Sequence, residues 1–329
     1  MSMLYFETGS NDPCYNLAFE EYLLKNKMDG NILMLWQNAN TVVVGLNQNT
    51  AEEINAPFIE EHGITVVRRT TGGGAVYHDL GNLNYSFITD LGDAANVSIE
   101  QFSRPVCSAL ASMGIKAEVG GRNDILVEGK KVSGVAQRIY KNRILHHGTL
   151  LFSSDPEMIS GALTVDPSKF VSKSAKSVQS RVGNIKDFIP SGMTIGDFWN
   201  RLLNELTKDG AVECELSQLE LAQIAADADT KYRSWDWTYG ASPDYSFKNR
   251  ARYSGGLIEV RLLVKKGVIV QAAFSGDFMA VQDTAPAVAA LIGVRLRRED
   301  ITAALSSVDI AGIFGGISLQ EILATIFME

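Results

Sequence analysis

The chain has 329 residues, 46% hydrophobic and 21% charged, the composition of a globular protein with room for a sizeable core and two domains. A net charge of −8 argues against bulk attraction to nucleic acid or an anionic membrane, while leaving room for a small anionic ligand held by local arginines. Cys14, Cys107 and Cys214 show no CxxC spacing. With no signal-peptide pattern at the start and no uncharged run of bilayer length, a cytoplasmic protein in a reducing compartment is expected.

In chain order, Asn11-Asp12-Pro13 is a helix-start signal, and the apolar positions after it predict a helix from Pro13 to Lys27. Ile32–Trp36 and Thr41–Val44 read as strands across a hairpin-like gap, Gln37–Asn40. A helical pattern over Glu52–Glu61 leads to a strand, Ile64–Arg68, and then to Arg68-Arg69-Thr70-Thr71-Gly72-Gly73-Gly74-Ala75-Val76-Tyr77-His78-Asp79. Three successive glycines permit positive φ and let backbone N–H groups approach a ligand without Cβ interference. Two arginines beside them supply cations, the chemistry of a phosphate or carboxylate site. The glycine spacing fits neither a dinucleotide fingerprint nor a P-loop, and a ligand-free β-turn is the plain alternative.

Asn84–Ile88 reads as a further strand, and Ser98 with Gln101 opens a helix running to Met113. Ile125–Val127, Lys131–Gln137 and Arg143–Phe152 predict an antiparallel meander, with Glu128-Gly129-Lys130 as a turn. A looser, serine-rich segment extends to Ser180. Helices are expected at Ile195–Thr207 and Leu216–Ala228. Turn-rich Trp235–Pro243 marks a candidate domain end, followed by strands Gly256–Val264 and Val268–Phe274 and helices Thr284–Leu291, Arg298–Leu305 and Ser318–Phe327. Strands in runs with helices beside them, without regular βαβ alternation, give an α+β class.

Three further segments carry candidate chemistry. Gly120-Gly121-Arg122-Asn123-Asp124 sets an amide beside a carboxylate, suited to a nucleotide or to Mg²⁺, although an isolated Asn-Asp pair is ordinarily an Asx turn. Lys130-Lys131-Val132-Ser133-Gly134 places an ammonium next to closely approachable backbone. A single strand lysine usually faces solvent, and the residues alone do not choose between Lys130 and Lys131. His146-His147-Gly148-Thr149-Leu150 offers His147 as base or ligand, or as a hydrogen-bonded strand residue, with a hydroxyl at Thr149. There is no HExxH and no GxSxG, and the cysteines avoid these segments, so neither structural zinc nor a thioester route has support.

Taken together, Arg68–Asp79, Gly121–Asp124, Lys131–Gly134 and His146–Leu151, joined by Ser180-Arg181-Val182 and Trp235–Pro243, resemble lipoate–protein ligase A, the enzyme family that attaches lipoic acid to protein lysines. The likeness runs in order over essentially the whole chain. It implies a catalytic domain of the kind shared with biotin protein ligases over residues 1–245, with mixed sheets and flanking helices, and a small α+β accessory domain over residues 250–329. It implies that lipoate attacks the α-phosphate of ATP to give lipoyl-AMP, and that a lysine of a lipoyl domain then takes the acyl group. The acceptors would be E2 subunits of 2-oxoacid dehydrogenases or the glycine-cleavage H protein, with no nucleic-acid or membrane partner.

By the same resemblance, Arg69 and the loop Gly72, Gly73, Gly74, Ala75, Val76 and Tyr77 bind ATP and the adenylate. Lys131 contacts both phosphate and lipoyl carbonyl and is the catalytic residue. Asn123 and Asp124 face the nucleotide, Asp124 being the candidate Mg²⁺ ligand. Ser133, Gly134, His147, Gly148 and Thr149 line the lipoate site. The family usually has serine where this chain has Thr71, which keeps the hydroxyl. Ser168–Ser180 is a candidate lid. The rival readings are an ATP-independent octanoyl- or lipoyltransferase on the same scaffold, a non-catalytic lipoate or biotin binder, and a biotin ligase. The related octanoyltransferases use a cysteine, and here none follows the His-Gly-Thr segment before Cys214.

Overall fold

A computed structural model describes residues 3–92, 98–120, 123–164, 182–189, 192–243, 245–278 and 282–328. Contacts divide the chain into two units: Met1–Asn47, Glu53–Asn55 and Glu61–Ser234 form the first, and Gln48–Glu52, Ala56–Glu60 and Trp235–Glu329 the second. No helix among the described residues is long and apolar enough to cross a membrane.

The first unit carries strands β1 (Met3–Glu7), β2 (Ile32–Trp36), β3 (Thr41–Val44), β4 (Thr65–Arg68), β5 (Val76–His78), β6 (Asn82–Asp90), β7 (Ala117–Gly120), β8 (Asp124–Val127), β9 (Lys130–Tyr140), β10 (Arg143–Leu151) and β11 (Ala211–Glu213). Its helices are α1 (Pro13–Asn26), α4 (Ile99–Ser112), α5 (Pro156–Ala162), α6 (Ile195–Leu206) and α7 (Gln218–Asp227). The short α2 (Thr50–Glu53) and α3 (Ala56–Glu61) have residues in both units.

Eight strands form one mixed sheet in the order β11-β1-β2-β6-β10-β9-β8-β7, and β4-β3-β5 form a second. The β8-β9-β10 meander is antiparallel, as its turn chemistry requires. The expected pairing of β2 with β3 across Gln37–Asn40 is absent: β2 lies between β1 and β6, and β3 belongs to the other sheet. Both strands are buried along their whole length, so they lack the alternation that distinguishes a hairpin from two separate core strands. The single helix expected over Glu52–Glu61 is broken, with Ile54 bridging to Leu163 instead.

The large sheet has two unlike faces. One carries Leu33, Leu35, Leu83, Tyr85, Phe87 and Leu150, packed with Val106 and Leu110 of α4 and Phe198 and Leu202 of α6 into a hydrophobic core. Since strand residues alternate between faces, Trp36, Asn84, Ser86, His147 and Thr149 occupy the other. Helix α1 starts where the sequence signals it. The Cys14 backbone N–H donates to the Asp12 carboxylate (3.1 Å), with Pro13 in the first turn.

The second unit contains β12 (Tyr245–Tyr253), β13 (Gly256–Lys265) and β14 (Val268–Gly276), an antiparallel sheet, with α8 (Ala285–Leu291), α9 (Arg298–Leu305), α10 (Ile310–Phe314) and α11 (Leu319–Phe327). Ile258, Val260, Phe274, Leu291, Ile301, Phe314 and Ile322 are among its core residues. This is the expected α+β class, a catalytic-type fold with mixed sheets and a C-terminal part with its own sheet and helices.

Candidate active site

Strand β4 leads Arg69 and the glycine loop to the edge of the small sheet, and the loop folds back onto its own arginine. The Arg69 Nε–H donates to Thr71 Oγ1 (2.9 Å) and Nη1 donates to the Val43 carbonyl (3.1 Å). Nη2 donates to the carbonyls of Gly72 (2.6 Å) and Gly74 (2.8 Å). Four of the five guanidinium N–H groups are therefore engaged, three by the loop that follows Arg69 and one by the Val43 carbonyl of β3. A trans peptide sets its C=O and the following N–H on opposite sides, so the N–H groups of Gly73 and Ala75 point away from the guanidinium. Backbone donors so directed are what an anion nest needs. Gly73 has φ +92° and its carbonyl lies so close to Gly45 that a Cβ on Gly45 would approach it to 2.1 Å. Burial lowers the Arg69 pKa to about 10, with Glu20 working in the opposite direction, and the guanidinium stays charged at neutral pH.

Thr71 links this loop to α1 through His147. Thr71 Oγ1 lies 2.9 Å from His147 Nε2, and His147 Nδ1 lies 2.9 Å from Glu20 Oε1. The same carboxylate oxygen accepts from Ser86 Oγ (2.5 Å), whose oxygen accepts from Trp36 Nε1–H (2.9 Å). Both imidazole nitrogens of His147 are thus held by side chains, the arrangement of a hydrogen-bonded structural histidine rather than a free base.

On the other side of the cavity a bulge in β9 aims the lysine. Asp124 pairs with Gly134 and Ile125 with Ser133, but Leu126 pairs with Lys131, leaving Val132 without an opposite residue. Val132 and Ser133 are both fully buried, while Lys131, Gly134 and Ala136 line the cavity. The Lys131 ammonium meets Asp124 Oδ1 at 2.7 Å and folds over Gly134, where a Cβ would lie 3.4 Å from Nζ. The Gly134 N–H donates to Thr149 Oγ1 (3.0 Å), and Asn123 Nδ2 donates to the Val135 carbonyl (3.0 Å).

These groups share one cavity of about 100 Å³ within the first unit. Arg69, Gly73, Gly74, Ala75 and Val76 line it on the loop side, with Asn123, Lys131 and Gly134 on the β8–β9 side. His147, Gly148 and Thr149 contribute from β10. Leu17, Trp36, Val43 and Ala136 give it apolar wall. Cations and backbone donors that share a slot with apolar wall suit a ligand with an anionic head and a hydrocarbon tail.

Residues 12–207 match the lipoyl protein ligase A/B catalytic domain, and residues 242–326 match the bacterial lipoate protein ligase C-terminus. The chain is 41% identical to the lipoate-protein ligase LplJ of Bacillus subtilis, over 99% of this chain and 100% of that one. The chain belongs to the lipoate–protein ligase family. Among solved structures it is similar to the bipartite lipoate protein ligase of Thermoplasma acidophilum, described with its E2 lipoyl domain (TM-score 0.64, 31% identity, 73% of this chain and 96% of that one). It is also similar to a lipoate-protein ligase A bound with ATP (TM-score 0.62, 27% identity, 73% and 98%).

Of the residues that the lipoate–protein ligase resemblance singled out, four stand apart from the cavity wall. Gly72 serves the loop through its carbonyl. Tyr77 is buried, with its hydroxyl donating to Asn40 Oδ1 (2.9 Å). Ser133 faces the Tyr85 side of the sheet because the bulge turns it there. Asp124 reaches the site through Lys131. Gly121, Arg122, Ser180, Arg181 and the lid segment Ser168–Ser180 lie outside the described residues. Among the described residues there is no group of three His, Cys, Asp or Glu side chains that could hold a metal. Asp124 beside Lys131 is the carboxylate next to the cation, with Glu20 held by His147 and Ser86, a set that fits Mg²⁺ brought with nucleotide phosphates and not a protein-built cage.

Sequence reasoning missed Leu17, Trp36, Val43, His78, Asn84, Val135 and Ala136 in the wall. A usable signal existed in β6. Asn82-Leu83-Asn84-Tyr85-Ser86-Phe87 alternates polar and apolar side chains, yet all of them are buried. A strand with one polar face reads as half-solvated; here that face puts Asn84 in the cavity wall and Ser86 behind it on Glu20.

Proposed function

We propose that this chain activates the carboxylate of lipoate with ATP and passes the lipoyl group to a lysine of an acceptor lipoyl domain. The observation that carries the reading is the meeting of Lys131, Arg69 and the triple-glycine loop around one cavity. In the first step a carboxylate oxygen bonds to the α-phosphorus and the bond to the β-phosphate bridging oxygen breaks, releasing pyrophosphate and leaving lipoyl-AMP. Two anions must approach, so the barrier falls where fixed cations and N–H donors meet the junction. Lys131, aimed by Asp124 and the bulge, supplies the ammonium. Arg69 acts chiefly by holding the loop whose amides face the phosphates. Mg²⁺ arriving with ATP would contribute charge neutralisation, with Asp124 as the protein oxygen nearest to hand.

In the second step the acceptor amine attacks the acyl carbon and AMP leaves. The apolar wall excludes water from the mixed anhydride meanwhile. Every wall residue falls between Leu17 and Thr149, which supports catalysis within residues 1–245 and an accessory role for residues 250–329. The E2 lipoyl domain named with the Thermoplasma ligase supports an E2 lipoyl domain as the acceptor, with the glycine-cleavage H protein as the other candidate that the family resemblance implies. Three free thiols go with a cytoplasmic setting. None of the cysteines lines the cavity, which weighs against a thioester transferase.

The test combines labelled lipoate, ATP and a panel of lipoyl domains, read as pyrophosphate release and protein-bound label. Lys131→Ala should keep its circular dichroism and lose roughly 10²–10³ in the rate of lipoyl-AMP formation. Undiminished adenylation by the folded variant would remove Lys131 from its role. Acyl transfer from a carrier protein without ATP would favour the transferase.

A further inference from the structure

Two donors in the cavity wall have no partner among the described residues: His78 Nε2 and Asn84 Nδ2. His78 is 3% exposed and Asn84 2%. The tautomer of His78 follows from its neighbours. Asn16 Nδ2 faces the carbonyls of Ser10 (3.0 Å) and Gln37 (2.7 Å), which fixes that amide. It also donates to Asn38 Oδ1 (3.0 Å), so the Asn38 group facing His78 Nδ1 at 3.1 Å is the donor Nδ2. Nδ1 accepts, and the ring hydrogen sits on Nε2. Burial, with Arg69 and His147 adding to it, pushes the His78 pKa down to about 3, so the ring is neutral at pH 7. Asn84 receives Asn82 Nδ2 on its Oδ1 (3.0 Å), which leaves its own Nδ2 hydrogens unpaired.

Sheet register locates these donors. Trp36 lies opposite Asn84, Asn84 opposite Thr149, and Thr149 is hydrogen-bonded to Gly134 beside Lys131. Asn84 is therefore two strand spacings, about 10 Å, from the lysine end. His78 sits with Trp36, ring centroids 6.4 Å apart. An acyl chain of lipoate's length, with its carboxylate at Lys131, runs across the strands and ends among Asn84, His78 and Trp36. A purely hydrocarbon terminus would leave both donors unsatisfied. Ring sulfur is a polarisable, weak acceptor that meets them.

We propose that His78 Nε2–H and Asn84 Nδ2–H form a polar end to the acyl pocket that recognises the ring sulfurs of lipoate, so that the chain selects the dithiolane over an all-carbon acyl group of the same shape. The proposal rests on the reading of the cavity as a lipoate site with Lys131 at the carboxylate end.

The experiment compares lipoate with its cyclopentane isostere, in which carbon replaces both sulfurs, and with octanoate. ATP-dependent pyrophosphate release is measured for the full chain, Asn84→Leu and His78→Asn, the latter keeping the acceptor toward Asn38 and deleting Nε2–H. The unaltered chain should favour lipoate over the isostere in kcat/KM by roughly tenfold, and each variant should shrink that ratio severalfold. A ratio near unity in the unaltered chain, or an unchanged ratio in folded variants, overturns the proposal. The two substitutions are independent, and the unaltered chain alone already decides if neither variant folds. Calorimetric binding of lipoate and isostere without ATP separates the two readings. Preference for lipoate there, with no pyrophosphate release, supports the pocket end while refuting ATP-driven activation.

Discussion

In the proposed site Arg69 would serve the phosphates without facing them. Its planar fork spans Thr71, Val43, Gly72 and Gly74 at once, a geometry that a lysine cannot reproduce from one ammonium. Thr71 connects that fork to His147 and on to Glu20, so the hydroxyl shared by serine and threonine is the feature the position uses. We expect Arg69→Ala to weaken nucleotide binding at least tenfold and to cost about 1–3 kcal/mol of stability, because buried loop carbonyls lose their donors. Arg69→Lys should restore little of either. Nucleotide titration and urea unfolding of the two variants check this; near-native affinity in Arg69→Lys would mean that charge alone suffices. The sequence showed the arginine and the glycines side by side, and so the kind of site. It could not show that the guanidinium turns inward, because that depends on where β3 and Gly45 lie, and those are brought by the small sheet.

At the scale of elements, the β9 bulge determines which side chains reach the chemistry. Strict alternation puts Lys131, Ser133 and Val135 on one face. The unpaired Val132 resets the count, so Lys131, Gly134 and Ala136 reach the cavity, with Val135 beside them, while Ser133 does not. Bulges leave little trace in hydrophobic pattern, so nothing in the alternation opposed the place in the lipoate site that the family resemblance implies for Ser133. Other elements were plainly legible: α1 and α4 from their caps, and β8 to β10 from the Glu128-Gly129 turn. Short parallel partners such as β1 and β11 were not, since three to five residues carry no usable period and their pairing is remote in sequence. The bulge also explains the glycine three residues after the lysine. Gly134→Val suits a strand but inserts branched carbon against the Lys131 ammonium. The variant should fold, with pyrophosphate release lowered at least tenfold; retention of full activity would show that the ammonium does not need to lie over that glycine.

At the scale of the whole molecule, and among the described residues, the core on the α4 side of the large sheet and the core of the second unit draw on separate stretches of chain, the latter using only residues between Phe247 and Phe327. A fragment covering residues 245–329 should therefore fold alone. Its acid response should differ from that of the full chain, because all four histidines, His62, His78, His146 and His147, lie in the first unit. Burial lowers His78 and His146 to about 3. Above pH 6.5 both are neutral whether the chain is folded or unfolded, and their contribution to stability is fully present. As pH falls below that, the unfolded chain takes up protons that the folded one refuses, and stability declines until about pH 3. With each group contributing about 1.4 kcal/mol per pH unit, the first unit should lose up to about 4 kcal/mol between pH 7 and pH 5. The fragment has only carboxylates to titrate, and the two that are lowered, Glu259 and Asp277, respond below their ordinary values. Urea midpoints at pH 7 and pH 5 should fall for the full chain's first transition and stay level for the fragment. Equal losses in both, or a level first transition, would show that His78 and His146 take up protons without destabilising the first unit.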